Sequence, residues 1–458
     1  AAGGVISLYG GWTSVSETVY EAFLTGGAFS TVPGVIGVLG AVAVAGGSHA
    51  LVSRRNGGTL AALISIGSFA GGLTACSIDL VALFIVLEIT ALVAYALVSA
   101  KGTRLSDEAA LKYYVQGAVA TGLLVFGLAV LVGLYTPTGS YIGLADAFSA
   151  PLPDGGSPAL LGMVFIVAGL AFKAGAAPFH SWAPDAYQTA PSESAAFLAG
   201  PLKLAFIFAA ALLLATTAPL GSTAARPLGQ LGTQLLPLVG SLGVLSVLIG
   251  SLAALRQRSY VRMLGYAGVA QVGYAMLAMS AVSPTAVAIF GTTYAVAACG
   301  AFLAALAFAR VRPTWDGTVE GLNGIGRTSP AIGAAVCLLM VSLAGIPPLL
   351  GFWGKFEVLV VTIAAAGSFS AQGLSGLAAT YAVFAGAALV GSVVSVAYYG
   401  RVMRSILAQR TDGDRDDDPA AGGGSALFAV VVLAVAVVAL GLLPLVTGLA
   451  VPLKGFML

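Results

Sequence analysis

Five ionisable residues lie inside stretches of the sequence that are otherwise apolar. They are one acid, Glu88, and four lysines, Lys112, Lys173, Lys203 and Lys355. At the centre of a lipid bilayer each such group costs on the order of 3 kcal/mol, and groups retained at that cost mark proton or ion pathways. A carboxylic acid and an amine can each take up and release a proton. The pattern therefore predicts a protein that moves protons or cations.

Composition places these residues in a membrane. The chain is 59% hydrophobic and 8% charged, with a mean hydropathy of +0.99, whereas a soluble domain is roughly 25% charged. The net charge of +2 and the lack of a basic, aromatic block argue against nucleic-acid binding. Cys76, Cys299 and Cys337 stand singly, without the spacing of a metal or iron-sulfur site. We predict no metal and no cofactor in this chain.

Twelve stretches are apolar over the roughly 20 residues that a membrane-spanning helix needs. They run over 31–54, 57–77, 78–99, 107–134, 158–178, 192–217, 228–255, 259–281, 285–310, 327–366, 376–405 and 426–450. The tenth is too long for one straight helix. Pro347 and Pro348 in its middle remove two backbone donors, which would free the carbonyls near Leu343 and Ala344. We predict a broken helix there.

Two other prolines interrupt apolar stretches beside lysines. Pro178 ends the fifth stretch one turn after Lys173, and Pro201 lies in the sixth, two residues before Lys203. A helix that ends inside the bilayer leaves unpaired carbonyls, which can hold a cation or water. Lys355, which follows the double-proline break, has the same relation to a helix end.

Two lysines beside two broken helices indicate a duplicated architecture. We place a first five-helix repeat over 57–217 and a second over 228–407. An odd number of spans in each repeat makes the second copy inverted in the membrane. Inverted repeats with sites at discontinuous helices are typical of transporters.

The distribution of basic residues agrees with the twelve spans, because positive charge is retained on the cytoplasmic side. One side of the predicted topology holds only Arg226 and Lys454. The other side holds Arg54, Arg55, Lys101, Arg104, Arg256, Arg258, Arg262, Arg310, Arg312, Arg327, Arg401, Arg404, Arg410 and Arg415. This alternation predicts that the N-terminal segment and the C-terminal tail are extracytoplasmic.

The rest of the chain divides into four segments. Residues 1–30 are too polar to span and lack the basic start of a signal peptide. A peripheral span follows over 31–56, an acidic cytoplasmic linker over 408–425, and a last span with its tail over 426–458. A calcium site in the linker is an alternative, although the spacing of its aspartates does not follow a calcium loop. The chain begins at Ala1, and we expect a truncated or processed form.

Three further ionisable residues are possible participants. Lys112 lies near the cytoplasmic end of its span and is either a relay or a side chain that reaches the surface. His180 could take up protons near neutral pH or cap the broken helix. Glu357 stands two residues after Lys355, on a different helix face. For Glu88 the alternative is a structural hydrogen bond to a neighbouring helix.

A set of motifs extends along the chain from about residue 31. They are Leu87-Glu88, Leu111-Lys112-Tyr113-Tyr114, the run from Pro178 to Gln188, Met263-Leu264-Gly265-Tyr266, the run from Ser342 to Pro348, and Gly354-Lys355-Phe356. Together they resemble the antiporter-like subunits of the proton-pumping NADH:quinone oxidoreductase, respiratory complex I. Asp185-Ala186-Tyr187 is most similar to the N-type subunit, because the M-type usually has His where Tyr187 stands.

This resemblance implies an all-α polytopic fold of fourteen helices with two inverted five-helix repeats and discontinuous helices. The twelve spans would be helices three to fourteen. It also implies that Glu88 pairs with Lys173, that Lys203 relays the proton and that Lys355 passes it outward. Flavin and iron-sulfur clusters are expected in partner subunits, other membrane-arm subunits are the expected partners, and the bacterial inner membrane is the expected location.

The sequence departs from the family pattern at two places. Gln271 stands where a His is often found, which suggests that water does the work of a titratable relay there. Ser192-Glu193 replaces the usual small or proline residues, so Glu193 is an added charge near the broken helix.

The resulting hypothesis is a proton path driven by redox chemistry in neighbouring subunits. A change in the interaction of Glu88 with Lys173 would send a proton through Lys203 and water toward Lys355. Three alternatives stay open. They are a subunit of a multisubunit cation/proton antiporter, a subunit of a membrane-bound hydrogenase, and a scaffold whose buried charges only hold helices together.

Overall fold

A computed structural model describes residues 28–54, 56–149, 152, 156–217, 230–409 and 424–447. Residues 1–27 of the predicted N-terminal segment over 1–30, most of the acidic linker and the C-terminal residues 448–458 lie outside the described residues. The predicted boundaries of the domains, and the inverted relation of the two repeats, stay predictions.

The first half of the described chain is a succession of helices. They are α1 (Ala28–Ser53), α2 (Gly57–Cys76), α3 (Leu80–Ser99), α4 (Arg104–Leu134), α5 (Tyr141–Ser149), α6 (Ser157–Ala174), α7 (Trp182–Thr189) and α8 (Ser192–Ala215).

The second half continues in the same way after the undescribed residues 218–229. Its helices are α9 (Gln230–Arg256), α10 (Tyr260–Ser280), α11 (Pro284–Val311), the short α12 (Ile325–Thr328), α13 (Pro330–Ala344), α14 (Leu350–Ala371), α15 (Ser375–Leu407) and α16 (Gly424–Thr447).

The helix lengths suit a membrane. Within the described ranges, eleven helices are long and apolar enough to cross a bilayer, and each of the twelve predicted spans coincides with helix. The eighth span, α10, is less apolar than these eleven because it carries groups such as Gln271, yet it is almost wholly buried. Neighbouring helices shield it from lipid, so its own side chains need not be uniformly apolar. The all-α membrane fold is confirmed.

Proline and glycine interrupt two helices where the sequence predicts. Helix α6 ends at Ala174, and Gly175 follows with a φ of 76°, a backbone conformation that glycine adopts at little cost. The long tenth span divides into α13 and α14, with Gly345 at a φ of 82° between them. Both predicted breaks are confirmed, and each leaves helix-end carbonyls inside the bundle.

The third proline acts inside a helix. Pro201 lies in a single π-helical turn, Leu198–Leu202, within α8. Proline lacks the N–H of a regular helix and clashes with the carbonyl four residues before it, and a wider turn accommodates both defects. Lys203 follows this turn directly, so the local irregularity sets the position of its side chain.

Small residues bring the helices of the site close together. Glycines of α9 and α10 face each other, so that a Cβ added to Gly273 would lie 2.5 Å from the carbonyl oxygen of Gly243. Any side chain there would separate the two helices. Close backbone approach through small residues is the usual packing mode of membrane helices, and here it fixes α10, which passes between the lysine sites.

Candidate proton-transfer site

The first site is an ion pair between α3 and α6. Lys173 Nζ lies 2.9 Å from Glu88 Oε1 and 3.4 Å from the carbonyl oxygen of Leu87. The hydroxyl of Thr121 on α4 donates to the same Glu88 oxygen at 2.9 Å. The end of α6 at Gly175 therefore places an ammonium against a carboxylate and a hydroxyl from two other helices.

The two partners of this pair differ in exposure. Only 4% of the Lys173 side chain is exposed, against 32% for Glu88. Ile85 and Leu92, on the same outer side of α3, are also exposed. Part of the Glu88 side chain is therefore accessible from the outer side of α3, whereas Lys173 is not.

Lys203 is buried without a counter-charge. Its side chain is 2% exposed, and among the described residues its amine has no hydrogen-bond partner. The rings of Tyr187 and Tyr294 lie near it, with centroids 5.4 and 5.9 Å from Nζ. Aromatic faces attract a cation more weakly than a carboxylate does. Among the described residues no carboxylate lies within hydrogen-bond reach of the Lys203 amine.

Lys355 binds the broken end of α13. Its Nζ donates to the carbonyl oxygen of Ala344 at 2.9 Å and to Ser395 Oγ at 3.2 Å. The ring of Tyr274 lies 5.0 Å away. In an uninterrupted helix the carbonyl of Ala344 would accept from the backbone N–H of residue 348, and Pro348 has no N–H. The break thus turns a backbone carbonyl into a ligand for the ammonium.

The neighbouring carbonyl that Pro347 leaves free is bound as well. Gln271 Nε2 donates to the carbonyl oxygen of Leu343 at 3.3 Å. The prediction that the double proline frees the carbonyls of Leu343 and Ala344 is therefore confirmed.

Helix α10 connects the central lysine to this second break. A Cβ added to Gly268 would lie 3.0 Å from Lys203 Nζ, and Gln271, one turn further along α10, binds Leu343. Ala344, the next residue after Leu343, is the ligand of Lys355. The helix that contacts Lys203 therefore also carries Gln271, which binds the residue next to the ligand of Lys355.

An apolar cavity lies near the first two lysines. Its lining includes Ala174 next to Lys173 and Ile207 one turn after Lys203. The volume open to the centre of a water molecule is about 20 Å³. This is enough space for one water, but a water is retained only where it finds polar partners.

Two of the possible participants form ion pairs away from the three buried lysines. The side chain of Lys112 is 51% exposed and pairs with Glu108 at 2.7 Å, a position that suits a surface group better than a buried relay. Glu193 is fully buried and forms an ion pair with Arg54 of the loop after α1. Its second oxygen has no partner among the described residues.

His180 and Glu357 lie beside the two breaks. The ring of His180 is partly buried in the turn between α6 and α7, with its centroid 6.3 Å from that of Tyr266. Glu357 is partly buried on α14, and its Oε2 has no partner among the described residues. None of the principal site residues binds either group. Their roles stay predictions.

Several site residues carry no signal in the sequence alone. Thr121, Tyr294 and Ser395 are common residue types in apolar spans, and each contacts a charged group of a helix far away in the chain. Asp185 and Arg262 form an ion pair of 2.7 Å between α7 and α10. Asp185 lies in the most specific motif of the chain, which was the one available indication of its importance.

The described residues offer no obvious metal site, since within them no three or more His, Cys, Asp or Glu side chains gather. The arrangement can instead hold and pass protons. It comprises the Glu88–Lys173 ion pair, the Lys203 amine without a partner in the described part of the chain, and the Lys355 amine bound by neutral oxygens.

A polytopic helical bundle with two broken helices and a buried lysine at each of them defines the class of antiporter-like membrane subunits. Residues 77–379 match the family described as NADH:quinone oxidoreductase/Mrp antiporter, transmembrane. The chain belongs to this family, and the resemblance found in the sequence is confirmed. It is a multi-pass protein of the inner membrane.

Its relatives are subunits of a respiratory enzyme. The chain is 38% identical over 334 residues to NADH-quinone oxidoreductase subunit N 2 of Acidobacterium capsulatum. The match covers 72% of this chain and 63% of the relative, so the chain spans less than two thirds of that protein's length.

Solved structures show the same architecture. The chain is similar to a chain of respiratory complex I from Thermus thermophilus with bound aureothin, with a TM-score of 0.70, 30% identity, and coverage of 92% of this chain and 85% of that one. It shares its fold with a chain of the Mrp complex from Dietzia sp. DQ12-45-1b, with a TM-score of 0.72, 21% identity, and coverage of 92% and 80%.

Proposed function

We propose that this chain is a proton-translocating membrane-arm subunit of NADH:quinone oxidoreductase. The observation that carries the proposal is the set of three buried lysines, each in a different electrostatic environment and each on or beside an irregular helix. The 38% sequence identity to a subunit N of NADH-quinone oxidoreductase supports the assignment to this enzyme. Buried charges that only held helices together would each be paired, whereas the Lys203 amine has no partner among the residues that the structure describes.

The first step changes the ion pair. With Glu88 close by, Lys173 is held as an ammonium. When a neighbouring subunit draws Glu88 away or neutralises it, an uncompensated ammonium remains in apolar surroundings, and burial favours the neutral amine. Lys173 then gives up a proton, which water carries to the neutral amine of Lys203.

The second step moves the proton along α10. Lys203 passes it through water near Gln271 to the neutral amine of Lys355, and Lys355 as an ammonium is stabilised by Ala344 and Ser395. Release to the extracytoplasmic side leaves Lys355 neutral again, and Lys173 is reprotonated from the cytoplasm. Each step transfers one proton between a nitrogen and water, so no electron carrier in this chain is needed.

The orientation follows from the basic residues. The ends of the helices that carry Lys101, Arg262 and Arg401 face the cytoplasm in this proposal, because positive charge is retained there. The oxidation of NADH, with its flavin and iron-sulfur clusters, belongs to partner subunits.

Purification of the chain with its native partners tests the proposal. The chain should be isolated from mild detergent with flavin, iron-sulfur clusters and NADH oxidation activity. Isolation with cation/proton antiporter subunits, or with a nickel-containing hydrogenase subunit, would contradict the assignment to NADH:quinone oxidoreductase. It would favour one of the two alternatives, whose proton chemistry can use the same lysines.

A further inference from the structure

Helix α7 is a short element held between two interruptions of the chain. It has eight residues, Trp182–Thr189, and is therefore about 12 Å long. The turn after Gly175 precedes it, and Ala190 in extended conformation follows it. Isolated helices of this length are marginal, so contacts made by its side chains must hold α7 in place.

The inner face of α7 covers the lysine sites. The indole of Trp182 donates to the carbonyl oxygen of Phe172 at 3.0 Å and stacks on Tyr113, with the ring centroids 3.9 Å apart. The ring of Tyr187 lies 5.4 Å from Lys203 Nζ. Trp182 and Tyr187 are both buried. This face separates Lys203 from the end of the bundle that carries Arg262.

The outer face of α7 is held by charges. Asp185 Oδ1 lies 2.7 Å from Arg262 Nη1, and its Oδ2 lies 4.0 Å from Lys112 Nζ. The same Arg262 nitrogen donates to Gln188 Oε1 at 3.2 Å. About one third of the Asp185 and Arg262 side chains is exposed. Ion pairs at this exposure are weak, so this contact can open and close readily.

We propose that α7 is a hinged cover over Lys203 on the cytoplasmic side, and that the Asp185–Arg262 pair is its latch. The inference rests on the proposed function. When the latch opens, α7 moves with Tyr187 and lets water reach the Lys203 amine. A hydronium, formed where Lys173 releases its proton to water, then gives that proton to the neutral amine of Lys203 and becomes water. Asp185 and Arg262 are positioning residues, because they act on Lys203 only through α7.

Hydrogen exchange of the assembled complex tests the latch. In Arg262→Gln, the backbone amides of α7 should exchange roughly two- to fivefold faster than in the unmodified protein, which is the effect of losing one exposed ion pair. Arg258→Gln is the matched control, because Arg258 is an exposed arginine four residues earlier on the same side. Equal exchange of α7 in Arg262→Gln and Arg258→Gln overturns the proposal.

Proton measurements distinguish a cover from a merely structural contact. Arg262→Gln should raise the passive proton permeability of vesicles that contain the complex and lower the number of protons pumped per NADH oxidised. Faster exchange of α7 with unchanged permeability and pumping would overturn the role as a cover. The charge swap Asp185→Arg with Arg262→Asp should restore both values, and it also decides the question if the single variant fails to assemble. A swap that leaves the defect in place overturns the latch.

Lys203→Met separates this inference from the proposed function. If Lys203→Met abolishes pumping while Arg262→Gln behaves as the unmodified protein, the proton path stands and the cover is wrong. If Lys203→Met pumps normally, the proposed function itself is wrong.

Discussion

Lys173→Met is expected to reduce proton transport by roughly a hundredfold or more, the usual loss when a positioned acid or base is removed. The substitution is close in volume and removes the ammonium that pairs with Glu88. We substitute the lysine and not the acid. Glu88→Gln would leave the ammonium of Lys173, which is 4% exposed, without its partner. Breaking a buried pair in that way is strongly destabilising. Glu88, in contrast, keeps its exposure and its hydrogen bond from Thr121.

Proton uptake by inverted membrane vesicles during NADH oxidation measures this effect. Lys101→Met is the matched control, because Lys101 is an exposed lysine in the turn between α3 and α4. The control should pump as the unmodified protein does. Normal pumping by an assembled Lys173→Met complex would show that the Glu88–Lys173 pair is structural.

Lys355→Arg is expected to stop proton transport as completely as Lys355→Met. Arginine keeps the positive charge at the broken end of α13 but does not release its proton under any physiological condition. The lysine now binds Ala344 and Ser395. If this charge only anchored the break, arginine would substitute for lysine.

The two Lys355 variants are compared in reconstituted vesicles by the decay of a pH-sensitive dye signal. Loss of pumping in both identifies proton exchange as the role of Lys355. Pumping retained in Lys355→Arg and lost in Lys355→Met would instead assign an electrostatic anchor. The content of partner subunits in each preparation controls for assembly.

The sequence predicted the irregular parts of this fold well. Pro178, Pro347 and Pro348 interrupt helices because proline cannot donate a backbone hydrogen bond, and this effect is local. The same argument anticipated the free carbonyls that Gln271 and Lys355 bind. Glu88 and the lysines were found because a charge in an apolar stretch is conspicuous whatever its neighbours are.

Contacts between distant helices could not be predicted in this way. In a membrane protein most helix faces are apolar, so hydrophobic periodicity says little about which faces meet. Nothing local pairs Asp185 with Arg262, or Arg54 with Glu193, although each is an ion pair in the structure. The hydroxyl of Ser395 is likewise unremarkable until the fold brings it to Lys355.

The number of protons pumped per NADH oxidised by an assembled Lys203→Met complex tests the central claim most directly. Lys203 is buried and lacks a partner among the described residues, so its removal alters no observed ion pair. The proton path through Lys173, Lys203 and Lys355 predicts a lower ratio than in the unmodified complex. An unchanged ratio would contradict that path.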